Sequence, residues 1–206
     1  MRLIAVFAAL MALVGEPAMA TEEPDYTVVS AHGDIEIRDY ASMIMAEVEM
    51  EGDRREAANR GFGPLANYIF ANDRDGEKIA MTAPVTSAPA EAGADAAVAS
   101  PVTSEPAGQG RWRVAFIMPQ DWSMETLPAP RDDSVALREV PARRVAVIRF
   151  NGLMGEDRIE DKLAELQAFL REHGHEPASA PTYAAYNPPW IPGPFRRNEI
   201  WIEIAS

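Results

Sequence analysis

The chain of 206 residues contains no cysteine. That absence excludes disulfides, thiolate metal sites, thiol nucleophiles, thioether attachment of a cofactor and a lipid-modified N-terminal cysteine. The fold must be held by packing and polar contacts alone. Basic residues are scarce: 19 Lys and Arg stand against 32 Asp and Glu, for a formal net charge of −13. Nucleic acids and anionic lipid surfaces need the opposite sign, so a nucleic-acid role is excluded. Long apolar runs are missing too. The longest, Leu3 to Val14, falls well short of the ~20 residues a membrane helix needs.

That run follows Arg2 and precedes Ala18-Met19-Ala20. The order is that of a secretory signal peptide: positive n-region, apolar core, small-x-small cleavage site. Removal of residues 1–20 is expected, leaving 21–206 as a single domain that is periplasmic or secreted and has no membrane span.

Catalytic signatures are missing as well. The chain has no phosphate-cradling P-loop, no nucleophile-elbow serine and no paired-histidine zinc helix. Gly61-Phe62-Gly63-Pro64-Leu65-Ala66 has the spacing of a dinucleotide fingerprint. No strand leads directly into Gly61, and no acidic residue stands about twenty positions on, so that reading fails. The expectation is a protein that is not an enzyme.

What is there is alternation. Ile44, Ala46, Val48 and Met50 interleave with Glu47, Glu49 and Glu51, the period-two pattern of a strand with one wet face. A short strand around Tyr26 to Val29 and another at Ile35 to Tyr40 precede it, with His32-Gly33-Asp34 as a turn. One hundred positions on, the pattern returns: Arg38-Asp39-Tyr40 matches Arg138-Glu139-Val140, Ala46 matches Ala146, and Gly52 matches Gly152. Each copy runs into a helical segment, Arg54 to Ala71 and then Glu156 to His173, with apolar residues at helical spacing. Each helix is followed by two strands, at Lys78 to Val85 and Arg111 to Met118, then Thr182 to Tyr186 and Asn198 to Ile204. The fold class is therefore α+β: duplicated β-β-α-β-β units forming a distorted eight-stranded antiparallel barrel flanked by two helices. Pro64 should kink the first helix or restart it.

Thr86 to Gly110 is dominated by alanine, proline, glycine, serine and acidic residues, which cannot bury enough surface to offset ordering entropy. It reads as a flexible loop, residues 86–110. Gln120 to Asp133 links the halves, with Trp122 and Leu127 as the side chains able to pin it.

The three histidines are His32, His173 and His175. His173 and His175 follow a helix end, where cations suit the helix dipole; they are also the candidates for a metal or an axial iron ligand.

The C-terminal run ends the chain with a rigid turn and a strand. Four prolines and a glycine between Pro188 and Pro194 rule out a helix or inner strand. Ile200, Ile202 and Ile204 then alternate with Glu199, Trp201 and Glu203, again the mark of a half-buried strand.

Tyr186-Asn187-Pro188-Pro189-Trp190 followed by Arg196-Arg197-Asn198-Glu199-Ile200-Trp201 resembles the C-terminal signature of the SOUL haem-binding family. Lys78-Ile79-Ala80-Met81-Thr82-Ala83-Pro84-Val85 and Phe116-Ile117-Met118-Pro119 resemble two further blocks, in order. The resemblance implies the same two-helix barrel and a haem or related tetrapyrrole cofactor, held non-covalently. It would lie on the apolar face of the first helix with its propionates near basic side chains. Phe62, Leu65, Ala66 and Ile69 fall on that helix, with Arg60 beside them. These residues equally suit core packing. Arg196 and Arg197 could grip propionates, or could tie the last strand to acidic neighbours. The implied function is reversible tetrapyrrole binding for transport or buffering. A binding module for another apolar or amphipathic small molecule is the alternative, and a tetrapyrrole-modifying enzyme the third.

Overall fold

The computed structural model describes residues 21–72, 74–90 and 110–205. The expected signal peptide lies outside them, as does most of the expected loop. In chain order the elements are β1 (Tyr26–His32), β2 (Ile35–Tyr40), β3 (Met43–Gly52), α1 (Arg54–Ile69), β4 (Val85–Pro89), β5 (Gly110–Ile117), β6 (Ala136–Val140), β7 (Arg143–Asn151), α2 (Glu156–Glu172), β8 (Thr182–Ala185) and β9 (Arg197–Glu203). One 3-10 turn, Gly193–Phe195, precedes β9.

The described strands form one antiparallel sheet in the order β1-β2-β7-β9-β8-β4-β5-β3-β6. The fold is α+β and barrel-like, with two helices, as the alternation and helical spacing require. Two details differ from expectation. There are nine strands rather than eight, because β1 pairs along the whole of β2. The sheet is also open, because its edges β1 and β6 share no register with each other. Leaving β1 aside, the order of the other eight has a symmetry of its own: exchanging β4 with β8, β5 with β9, β3 with β7 and β2 with β6 reverses it. Gly52, the last residue of β3, and Gly152, the first after β7, occupy matching places before the helices, with positive φ of 121° and 119°. Glycine adopts that conformation without the Cβ clash that penalises other residues.

Both helices cover one face of the sheet. Leu65, Tyr68 and Ile69 of α1 pack on Ala46, Val48, Val114 and Phe116 of β3 and β5. Ile159, Leu166, Phe169 and Leu170 of α2 pack on Ile35, Ile37, Ala146, Ile148, Ile200 and Ile202 of β2, β7 and β9. The helix α1 runs unbroken through Pro64. The carbonyl deprived of its donor is that of Arg60, an exposed residue, so solvent can serve it. Gly61 faces the sheet so closely that a Cβ there would stand 2.9 Å from Val114 Cβ. Gly61, the first residue of the glycine-rich run, is thus a packing device.

The opposite face is not wet. The curl of the sheet folds that face over a third core of Tyr40, Met45, Ala115, Ile117, Val145, Val147, Ala184 and Trp201. Glu199 and Trp201, expected on a solvated face of the last strand, are 0% and 2% exposed. Alternation identified the two faces correctly; curvature, which alternation does not encode, buried both.

The strand expected at Lys78 to Val85 begins only at Val85, immediately after a cis Ala83–Pro84 bond, and extends through Pro89 into the segment expected as loop. Thr86 and Ser87 are strand residues because β5 on one side and β8 on the other pair with them, and Ala88 continues the strand against β5. The link between halves is pinned as its composition suggested: Leu127 is buried and Trp122 packs beside it in the α1 core.

Candidate functional site

The C-terminal signature organises the interior. Residues 197, 199 and 201 of β9 point to the inward face, and residues 198, 200 and 202 to the helix side. On the helix side Asn198 donates to the Gly152 carbonyl at 2.9 Å. On the inward face Glu199 gathers every donor near it. Its Oε2 accepts from Arg38 Nη1 at 3.0 Å, the Tyr186 hydroxyl at 2.7 Å and Trp201 Nε1 at 2.7 Å. Its Oε1 accepts from Arg38 Nη2 at 3.2 Å and from Arg197 Nη2 at 2.9 Å and Nε at 3.2 Å. Arg38 also donates to Glu36 and to the Tyr40 hydroxyl, and Arg197 to both oxygens of Glu23 at 2.9 Å.

Burial alone would raise the Glu199 pKa, but the charge and hydrogen bonds of Arg38, with Tyr186 and Arg197, outweigh it and hold the carboxyl below its ordinary value. Burial, with the Glu199 charge next, pushes the Tyr186 hydroxyl far up, so it stays a donor. The cluster is a satisfied buried ionic network, and its role is to lock β2 to β9. Arg197 is therefore engaged within the fold. Arg196 is likewise engaged: its Nε donates to the Ile191 carbonyl at 2.7 Å and its Nη2 to the Pro189 carbonyl, which holds the proline-rich turn. Both arginines tie the last strand, and their donors do not face α1.

The α1 residues divide in two. Leu65 and Ile69 are 0% and 1% exposed and belong to the core between helix and sheet. Phe62 is exposed, with its ring edge-on to Phe116 at 5.2 Å, and Ala66 is half-buried one turn on. Arg60 lies beside them, exposed, with Nη1 donating to the Glu51 carbonyl at 3.2 Å. A flat macrocycle could rest on Phe62 and Ala66 with a carboxylate toward Arg60, so this part of α1 fits a tetrapyrrole by apolar contact. It offers no iron ligand.

The histidines do assemble, around Phe169 of α2. His173 stacks on that ring at 4.0 Å, His32 approaches it at 5.2 Å, and His175 at 6.4 Å. His173 Nδ1 is engaged with the Phe169 carbonyl at 2.9 Å. Among the described residues no three His, Asp or Glu side chains converge as a metal site.

Two features escaped the sequence reading. Trp190 and Phe195 are 78% and 77% exposed on the proline-rich turn, with Leu153 against Gly193 beside them. A cavity of about 440 Å3 lies between the N-terminal segment and the 118–125 link. Its walls carry Met43, Met118 and Trp122, and its rim carries Asp25, Glu125 and Glu139, with no basic side chain. Such a rim does not suit propionates. Trp190 and Met118 stand in the quoted blocks, but no local pattern tells that the one is exposed and the other lines a cavity, because both depend on loops meeting across the fold.

The family model described as SOUL heme-binding protein matches residues 21–203. The chain belongs to the SOUL family. Among curated proteins, human Heme-binding protein 2 is 28% identical to this SOUL chain over 172 residues, covering 82% of it and 78% of the relative. Among solved structures, the EcmrR C-terminal domain superposes at a TM-score of 0.61 with 8% identity, covering 88% of this chain and 98% of that one. A structure described as a hydrolase from Listeria innocua gives 0.57 with 11% identity, covering 86% and 94%. At such identities the two structures share the fold alone with the SOUL chain. Among the described residues no helix is long and apolar enough to cross a membrane.

Proposed function

We propose that this SOUL protein is exported and binds haem or a related tetrapyrrole reversibly and non-covalently, for transport or buffering rather than turnover. The observation that carries the reading is the family match across residues 21–203, joined to an exposed aromatic surface at Phe62 with Arg60 beside it. The macrocycle rests on Phe62 and Ala66, and Arg60 faces a propionate; Leu65 and Ile69 support the helix from below. The symmetric strand order also supports descent of the two halves from one duplicated unit.

Absorbance titration of residues 21–206 with hemin and with iron-free protoporphyrin tests this. A saturable, broad Soret change is expected, with similar affinity for both porphyrins and unaltered hemin after incubation. A hemin spectrum identical with and without saturating protein overturns the reading. So does a Phe62→Ser, Arg60→Ala variant that binds as tightly as the parent.

The cavity favours a second reading, a binding module for an amphipathic cation. Trp122 offers a cation–π face, Met43 and Met118 adaptable apolar walls, and the carboxylate rim the opposite charge. A cationic amphipathic dye that displaces no hemin, and whose binding Trp122→Ala weakens, supports it; a dye that does not bind removes it.

A further inference from the structure

The inward face of the sheet holds a hollow of about 130 Å3, on the side away from both helices. Its lining brings Arg113 of β5, Arg138 of β6 and Arg143 of β7 together in a chain whose net charge is −13. Two of the three arginines are partly neutralised. Arg113 Nε stands 3.4 Å and Arg138 Nε 3.0 Å from the Glu47 carboxylate between them, and Arg113 Nη2 is 3.6 Å from Glu49. Arg113 Nη2 also donates to the Ala90 carbonyl, while its Nε is buried without a hydrogen-bond partner among the described residues.

Arg143 is the least compensated member. Its side chain is 18% exposed, its carboxylate neighbour Glu203 is 3.9 Å away, and among the described residues it donates no hydrogen bond. Burial pushes its guanidinium below the ordinary value; Glu203 opposes this and the nearby Arg138 adds to it. A half-buried guanidinium beside a second cation, with its carboxylate neighbour at 3.9 Å, lacks the close hydrogen-bonded partner that would normally offset its burial. Glu203 is the one carboxylate in the lining, beside Arg143; the rest is apolar or hydroxylic, including Met45, Val145, Trp201 and Thr182.

We propose that this hollow binds a small organic carboxylate, with the carboxylate between Arg143 and Arg138 and a short apolar chain against Met45, Val145 and Trp201. A cavity of about 150 Å3 accepts benzene, so this one suits about six non-hydrogen atoms. That size excludes a macrocycle, and the sheet separates the hollow from α1, so the occupant is a free small acid independent of any tetrapyrrole. The apolar walls favour it over inorganic phosphate.

Calorimetric titration of residues 21–206 with butyrate, inorganic phosphate and butylammonium tests the site. Saturable butyrate binding is expected, tighter than phosphate, with none for butylammonium, and Arg143→Met should weaken it at least tenfold while leaving the hemin titration unchanged. Ala88→Leu, which keeps every arginine and fills the hollow, should abolish it and decides the matter if Arg143→Met fails to fold. Absence of saturable butyrate binding overturns the proposal. So does binding that both variants retain, or phosphate binding tighter than butyrate.

Discussion

Arg38 and Glu199 stand 161 residues apart in the chain and meet face to face, two nitrogens to two oxygens at 3.0 and 3.2 Å, with both side chains closed to solvent. This pair joins β2 of the first half to β9 of the second. It also gives Tyr186, Arg197 and Trp201 of the C-terminal signature a common partner in Glu199: each of the three donates a hydrogen bond to that one carboxylate.

Removing that carboxylate's charge should be costly. A buried ion pair broken on one side leaves an unpaired charge and typically loses about 3–5 kcal/mol. Glu199→Gln strands part of the charge of Arg38 and Arg197, so denaturant unfolding should show a loss of about 3 kcal/mol. A variant within 0.5 kcal/mol of the parent, roughly the scatter of surface substitutions, would show that the cluster is not what locks the sheet.

The same group sets an acid limit. Its folded pKa lies below the ordinary 4.5, because Arg38, Tyr186 and Arg197 outweigh the burial that would raise it. The stability it contributes is therefore complete above pH 4.5 and lost as pH falls from there through the folded value. Asp39, lowered by its Arg144 hydrogen bond, acts in the same direction from an exposed position. Thermal midpoints should fall steeply below pH 4.5 in the parent and more gently in Glu199→Gln. Parallel pH profiles would contradict the assignment.

Gly61→Ala should destabilise the protein even though alanine is the better helix former. The helical gain is about 1 kcal/mol, whereas forcing a methyl into a packed interface costs about 1–3 kcal/mol. The new Cβ would stand 2.9 Å from Val114 Cβ and 3.1 Å from Val48 Cγ2, both on rigid strands, so the clash should win. Adding Val114→Ala should recover part of the loss, as measured by the unfolding midpoint.

Leu65 and Phe62 should respond in opposite ways to polar substitution. Leu65→Asp places an unpaired carboxylate in the core and should abolish cooperative unfolding. Phe62→Ser removes an exposed ring and should shift the midpoint little while weakening hemin binding. If Phe62→Ser unfolds the protein and Leu65→Asp does not, the orientation of α1 is wrong.

Much of the architecture was legible as pattern. The alternation at Ile44–Met50 and at Ile200–Ile204, the apolar spacing of the two helices and the recurrence of Gly52 as Gly152 are local signals, and the elements lie where they point. The fourth strand was not legible, since Thr86, Ser87 and Ala88 have the composition of a loop and are ordered by pairing with β5 and, for the first two, with β8. Of the candidate site, Phe62 and Arg60 remain available on the surface, whereas Leu65 and Ile69 are covered and Arg196 and Arg197 are engaged. Helical spacing places residues on a helix face but does not say how deeply the sheet receives it.

The amino-acid order alone determined most stretches of strand and helix, the fourth strand excepted, which residues share a face, and membership of a family whose blocks occur in register, because these depend on neighbours along the chain. Tertiary structure decided the rest. It curled the sheet so that its second face closed over Glu199 and Arg38, gathered three arginines from separate strands into one hollow, and opened a carboxylate-rimmed cavity between loops. Those arrangements depend on distances between residues far apart in the chain, which no local pattern carries.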